Sequence, residues 1–148
     1  MCEECGAPGK ECEARFHECL VKEFEDPDYG KVHNLTVSAY MLQHSSKLTR
    51  EGWLYERDLL REFLVGEKTP ERVRTEKKDL VDSGTRKFNI KSRTGLPVTP
   101  RIQWTRTILD IRFERPEDYR NDVTAWARAS LADAGHVTPA DSGDNGIV

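Results

Sequence analysis

The sequence predicts a mainly α-helical domain built on an antiparallel helical hairpin, with an irregular N-terminal loop and room for one or two short strands. Three observations predict it. Phe16, Leu20 and Phe24 recur at the four-residue spacing of one helix face. The stretch 31–46 is apolar on more than one face, as a helix buried on several sides must be. Residues 50–65 carry a single apolar stripe. At 148 residues the chain is the size of one domain and can bury a core without disulfides, so residues 1–134 are expected to form one unit and residues 135–148 a disordered tail.

Each element follows from local signals. Cys2-Glu-Glu-Cys5-Gly6-Ala-Pro8-Gly9 has no helical period and is rich in turn formers, which reads as a knuckle-like loop. A first helix should open near Cys12 and stop at Asp26-Pro27-Asp28-Tyr29-Gly30. The second, over 31–46, places Val32, Leu35, Ala39 and Leu42 on one side and Val37, Tyr40 and Met41 on another, which makes it the central helix. Thr49 is placed to cap a third, Arg50–Val65, whose stripe is Trp53, Leu54, Leu60, Phe63 and Leu64. Thr69-Pro70-Glu71 is a start signal for a fourth helix to about residue 81. From 82 to 100 the glycines and prolines keep regular structure short. Residues 104–113 fit both periods, and the alternation of Thr107, Leu109, Ile111 and Phe113 tips them towards a short strand. Pro116, with Glu117 and Asp118 behind it, opens the last helix, whose apolar face is Tyr119, Val123, Trp126, Ala127 and Leu131.

Composition limits the function classes. No apolar run approaches the roughly 20 residues that span a bilayer, and the N-terminus lacks a basic and apolar signal segment. The expectation is a soluble, cytoplasmic protein without membrane partners. No glycine-rich phosphate loop, internal repeat or nucleophile elbow is present. Charge is uneven. Residues 1–31 hold nine acids against four bases, whereas Arg86, Lys87, Lys91, Arg93, Arg101 and Arg106 form a run of six bases with no acid. That run could attract an anion or a nucleic-acid backbone, but it serves equally as a solvated stretch balancing the acidic half, and only Phe88 and Trp104 supply aromatics within it.

The chemistry-bearing feature is the cysteine cluster. Four cysteines lie within the first 19 residues, and in a chain without an export signal such clusters are more often metal ligands than disulfides. Cys2-x-x-Cys5-Gly6 has the spacing of a zinc knuckle: two thiolates bind one ion and the glycine turns the chain back. Zinc takes four thiolate or imidazole ligands in a tetrahedron, and Cys12 is the natural third.

Hairpin geometry names the fourth. If the helices flanking the turn at 26–30 are antiparallel, facing positions sum to about 56. Cys12 then faces His44, Phe16 faces Tyr40, Leu20 faces Thr36 and Glu23 faces His33. His17 is the rival, five residues beyond Cys12 and therefore roughly 140° around the helix. Cys19, about 10 Å further along the helix than Cys12, reads as a buried core thiol. A redox role for Cys2 and Cys5 is disfavoured by the glutamates around them, which raise thiol pKa. Glu23 opposite His33 is either a buried polar pair fixing helix register or a carboxylate orienting a general base, which makes these two the weak catalytic candidates.

The stretch from Cys12 to His44 resembles an uncharacterised family of short bacterial proteins, a domain of unknown function. The likeness rests on Cys2-x-x-Cys5-Gly6, on Cys12 opening a helix, and on Val32-His33-x-Leu35-Thr36-Val37 running to Tyr40-x-x-Gln43-His44. It continues more weakly through Thr107-Ile108-x-Asp110-Ile111 to Val123-x-x-Trp126-Ala127. This chain departs from the pattern in the short gap between Cys5 and Cys12 and in Ser45, where proline is usual. The resemblance supports the cysteine and histidine positions, does not include His17, and implies no activity. The combined expectation is a zinc-binding helical protein with a structural Cys3His site that acts as an interaction module for a macromolecular partner. The alternatives are a metal-dependent hydrolase with an open zinc site, and an anion or nucleic-acid binder through residues 86–106.

Overall fold

The computed structural model describes residues 2–65, 91–92 and 94–140. Among them are five α-helices: α1 (Glu11–Glu25), α2 (Pro27–Gly30), α3 (His33–Gln43), α4 (Arg50–Val65) and α5 (Pro116–Ala134). Single 3-10 turns lie at Ser45–Lys47 and Ile108–Asp110. The helix expected at 69–81 and the bases Arg86, Lys87 and Arg93 lie outside the described residues. Lys91, Arg101 and Arg106 are exposed.

The central helix is α3, packed between α4 and α5 and reaching α1. Trp53, Trp126, Tyr119, Leu42, Leu60 and Val123 are fully buried at that junction. Burying large aromatics is worth about 2–3 kcal/mol each, and Trp53 also donates its indole N–H to the Leu42 carbonyl at 3.0 Å because a buried indole needs an acceptor. Thr49 caps α4 as its position predicts, accepting the Gly52 N–H at 3.0 Å.

The turn between α1 and α3 is more ordered than a simple hairpin loop. Asp26 accepts the Asp28 N–H at 2.9 Å and starts α2 with Pro27 at its first position. The second helix therefore begins at His33 and not at 31, and it ends at Gln43. Gly30 sits so close to the end of α1 that a β-carbon there would lie 2.7 Å from the Glu23 carbonyl oxygen. Gly30→Ala is expected to cost about 2 kcal/mol, because the clash is with helix backbone that cannot swing aside; urea denaturation of the variant measures it, and an unchanged midpoint would contradict this packing.

The strand expected within 104–113 is not formed. Thr107 and Asp110 make a reciprocal capping box around the turn Ile108–Asp110, and the alternating pattern came from extended residues flanking that turn. Ile108 and Ile111 are buried, three residues apart, as a tight turn places them. The sole β pairing among the described residues is an isolated bridge between Leu48 and Lys91. Two contacts fix this loop to the helices: Tyr29 donates its hydroxyl to the Phe113 carbonyl at 2.8 Å, and Arg112 grips Asp122 through its backbone N–H and Nε, both at 2.9 Å.

The chain continues against the body beyond α5. Arg57 donates to the Val137 carbonyl at 2.9 Å, and the Ala140 N–H reaches the Val98 carbonyl at 2.7 Å. Residues 136–140, which the sequence places in the tail, are thus held by hydrogen bonds, while 141–148 lie outside the described residues. No helix among the described residues is long and apolar enough to cross a membrane.

Candidate metal centre

Three elements deliver one side-chain cluster. The N-terminal loop closes on itself through the Gly6 N–H to the Cys2 carbonyl at 2.8 Å and the Cys2 N–H to the Ala7 carbonyl at 2.6 Å. Gly6 makes that closure possible at φ 84°, a left-handed conformation that side chains resist. The loop aims Cys2 and Cys5 in one direction. Cys12, the second residue of α1, lies where the helix dipole favours a thiolate. His44 is the first residue beyond α3.

The end of α3 orients that histidine. The His44 N–H turns to the Met41 carbonyl at 3.0 Å, which leaves the Tyr40 carbonyl free of the helix ladder. That carbonyl instead faces Nδ1 of the His44 ring at 2.7 Å. A carbonyl can only accept, so Nδ1 carries the hydrogen and Nε2 presents its lone pair. The ring is stacked on Tyr40, with centroids 4.1 Å apart, and Tyr40 is stacked in turn on Phe16 at 3.9 Å.

The three cysteine sulfurs and one His44 ring nitrogen all lie within 4.8 Å of one another. In a tetrahedral centre with Zn–S near 2.3 Å the ligand atoms stand roughly 3.8 Å apart, so the cluster needs only small adjustment to close on an ion. His44 is 3 % exposed, yet its Nε2 has no hydrogen-bond partner. A buried nitrogen of this kind is costly unless something occupies its lone pair. Burial pushes the Cys5 and Cys12 thiols above the ordinary value. Burial opposes ionisation of Cys2 as well, but hydrogen bonds from the Cys5 and Glu4 backbone outweigh it and hold that thiol below the ordinary value. Burial and crowding in the cluster thus oppose charge on the Cys5 and Cys12 thiols. A divalent cation reverses the balance by neutralising the charge that crowding forbids. The donor set fits a soft, tetrahedral ion.

A family model matches residues 1–135. The chain belongs to a family of unknown function (DUF5946). That span takes in the whole cluster and all five helices. No curated protein and no solved structure matches the chain, and the family match spans the cysteines and His44 without adding an activity.

The other sequence candidates fall elsewhere. His17 is on the surface, its side chain 69 % exposed and 3.9 Å from Glu13, because α1 already includes Cys12 and turns His17 away. Cys19 is fully buried, with its thiol pushed up to about 12 by burial; it is a core residue. Glu23 and His33 meet at 2.8 Å, at the far end of α3 from His44.

Sequence reasoning missed the residues that anchor the knuckle. The Glu4 carboxylate accepts the Ser46 N–H at 2.8 Å and the Ser46 hydroxyl at 2.6 Å, and the Trp104 indole donates to the Glu4 carbonyl at 3.0 Å. Residues between Cys2 and Cys5 are thereby tied to the segment after His44 and to the 104–113 loop. No spacing rule links positions 4, 46 and 104.

Proposed function

We propose that Cys2, Cys5, Cys12 and His44 bind one zinc ion as a closed structural centre, and that the surface this centre organises serves as a contact module for a macromolecular partner. The observation that carries the reading is the buried, unpartnered Nε2 of His44 beside three thiols. Zinc matches the ligand types, since thiolate and imidazole in a tetrahedron select it over hard cations. When bound, the ion supplies charge neutralisation and cross-linking. The chain's own residues do the rest: the Tyr40 carbonyl holds the His44 tautomer, and Glu4 ties the knuckle to Ser46.

Four protein ligands leave no position for water, so this centre favours scaffolding over hydrolysis. The loop it fixes walls a cleft of about 320 Å³, bordered by Glu3, Glu4, Thr99, Arg101 and Trp104, which offers a mixed polar and aromatic face for contact. Metal analysis of the purified protein is expected to give one zinc per chain, and cobalt substitution is expected to give the intense visible absorption of a four-coordinate thiolate site. A metal-free preparation that retains the full thermal stability of the zinc-supplemented protein would overturn the proposal.

A further inference from the structure

A second polar cluster lies about 16 Å along α3 from His44, eleven residues away. Glu23 on α1 has a side chain only 2 % exposed. Its carboxylate accepts from the Thr36 hydroxyl on α3 at 2.6 Å, the Tyr119 hydroxyl on α5 at 2.5 Å and the His33 ring at 2.8 Å. Three donors satisfy both oxygens, so the carboxylate is locked as an acceptor and Nδ1 of His33 carries a hydrogen towards it. The same contact turns Nε2 of His33 away from Glu23, where it meets no hydrogen-bond partner among the described residues. The imidazole is half exposed, and its open side borders a groove of about 670 Å³ walled by Leu20, Val21 and Phe24, with Glu25 at its edge. Phe24 is 93 % exposed and Val21 54 %. Two large apolar side chains left in water beside a fixed, unpartnered ring nitrogen are the makings of a ligand site.

We propose that this groove is a small-molecule site in which Nε2 of His33 accepts a hydrogen bond from a hydroxyl on a neutral, largely apolar ligand. The charge of the walls sets the class: Glu23 and Glu25 border the groove and no described Lys or Arg does, so an anionic ligand is repelled. Thr36 and Tyr119 act as positioning residues, because they fix the carboxylate that fixes the ring.

Ring-nitrogen NMR of the zinc-loaded, ¹⁵N-labelled full chain tests this with 4-methylphenol, 4-methylanisole and 4-methylbenzoate as probes. 4-Methylphenol is expected to shift the His33 Nε2 resonance saturably with a Kd on the order of a millimolar, as its size allows. The anisole, lacking the donor, is expected to bind about tenfold more weakly, and the benzoate to leave the resonance unmoved. His33→Ala and Phe24→Ser each alter an exposed or half-exposed side chain and keep the core; both are expected to weaken 4-methylphenol about tenfold or more, read from the remaining groove resonances. Equal binding of phenol and anisole, binding of the benzoate, indifference to His33→Ala, or no saturable shift would each overturn the proposal.

Discussion

Stripping zinc from the purified protein with a strong chelator is expected to lower its Tm by at least about 10 °C, at the roughly 3 °C per kcal/mol usual for a chain of this size. The reasoning is one of scale. Apparent zinc-binding energies in structural sites reach about 10 kcal/mol or more, comparable to the ~5–15 kcal/mol that holds an average domain folded. Not all of it bears on the whole fold, because Trp53, Trp126, Tyr119 and Leu60 are buried among α3, α4 and α5, while Cys5, Ala7 and Cys12 are the part of the same core that the knuckle supplies. The loss should begin with residues 2–12 and the segment after α3, then reach Trp104 through Glu4. His44→Ala is expected to match most of that loss. Truncating a buried imidazole has its own cavity cost of about 2–3 kcal/mol, so the diagnostic quantity is the coupling: the substitution should cost several-fold less in zinc-free protein than in loaded protein. Equal cost in both would mean that His44 is only a packed core residue.

The second large effect is at Glu23, where three helices share one carboxylate. Glu23→Ala is expected to destabilise the protein by about 3–5 kcal/mol, the range for breaking a buried, charge-assisted cluster from one side. The cost comes from what remains: in the interior the Thr36 hydroxyl keeps only the Val32 carbonyl at 3.2 Å and the Tyr119 hydroxyl only the weakly bonding Cys19 sulfur. Tyr119 is held protonated in this setting, first by burial and then by its hydrogen bonds to Cys19 and Glu23, so it cannot relieve the loss by ionising. Tyr119→Phe removes one donor and leaves the carboxylate two others; about 1–2 kcal/mol is expected. Urea midpoints at constant m-value measure both. A Glu23→Ala cost under about 1 kcal/mol would contradict the three-helix clamp.

The sequence carried the helical pairing well. Facing positions that sum to about 56 brought Cys12 to His44, Phe16 to Tyr40 and Glu23 to His33, because two antiparallel helices with a short connection have little freedom of register. The rule gives facing positions but not every bonding partner: Thr36, which faces Leu20 by that rule, donates to Glu23, one turn nearer the connection. Signals confined to a few residues were also legible, such as Thr49 capping α4 and Pro116 opening α5.

Contacts between irregular segments were not legible. Glu4 with Ser46 and Trp104, Tyr119 with Glu23, and Arg57 with the chain after α5 span 42 to 100 residues, and no periodicity links their ends. The 104–113 loop shows how a pattern misleads: its alternation suggested a strand, while the Thr107-x-x-Asp110 capping signature that specifies a turn was present in the same residues.

The central claim is that three sulfurs and one imidazole nitrogen form a complete zinc shell, and zinc-edge X-ray absorption of the purified protein tests it most directly. The expected first shell is three sulfur scatterers near 2.3 Å and one nitrogen near 2.0 Å, with the nitrogen and its imidazole outer-shell pattern lost in His44→Ala. A shell with two sulfurs, or one that keeps its imidazole signature in His44→Ala, would contradict the account.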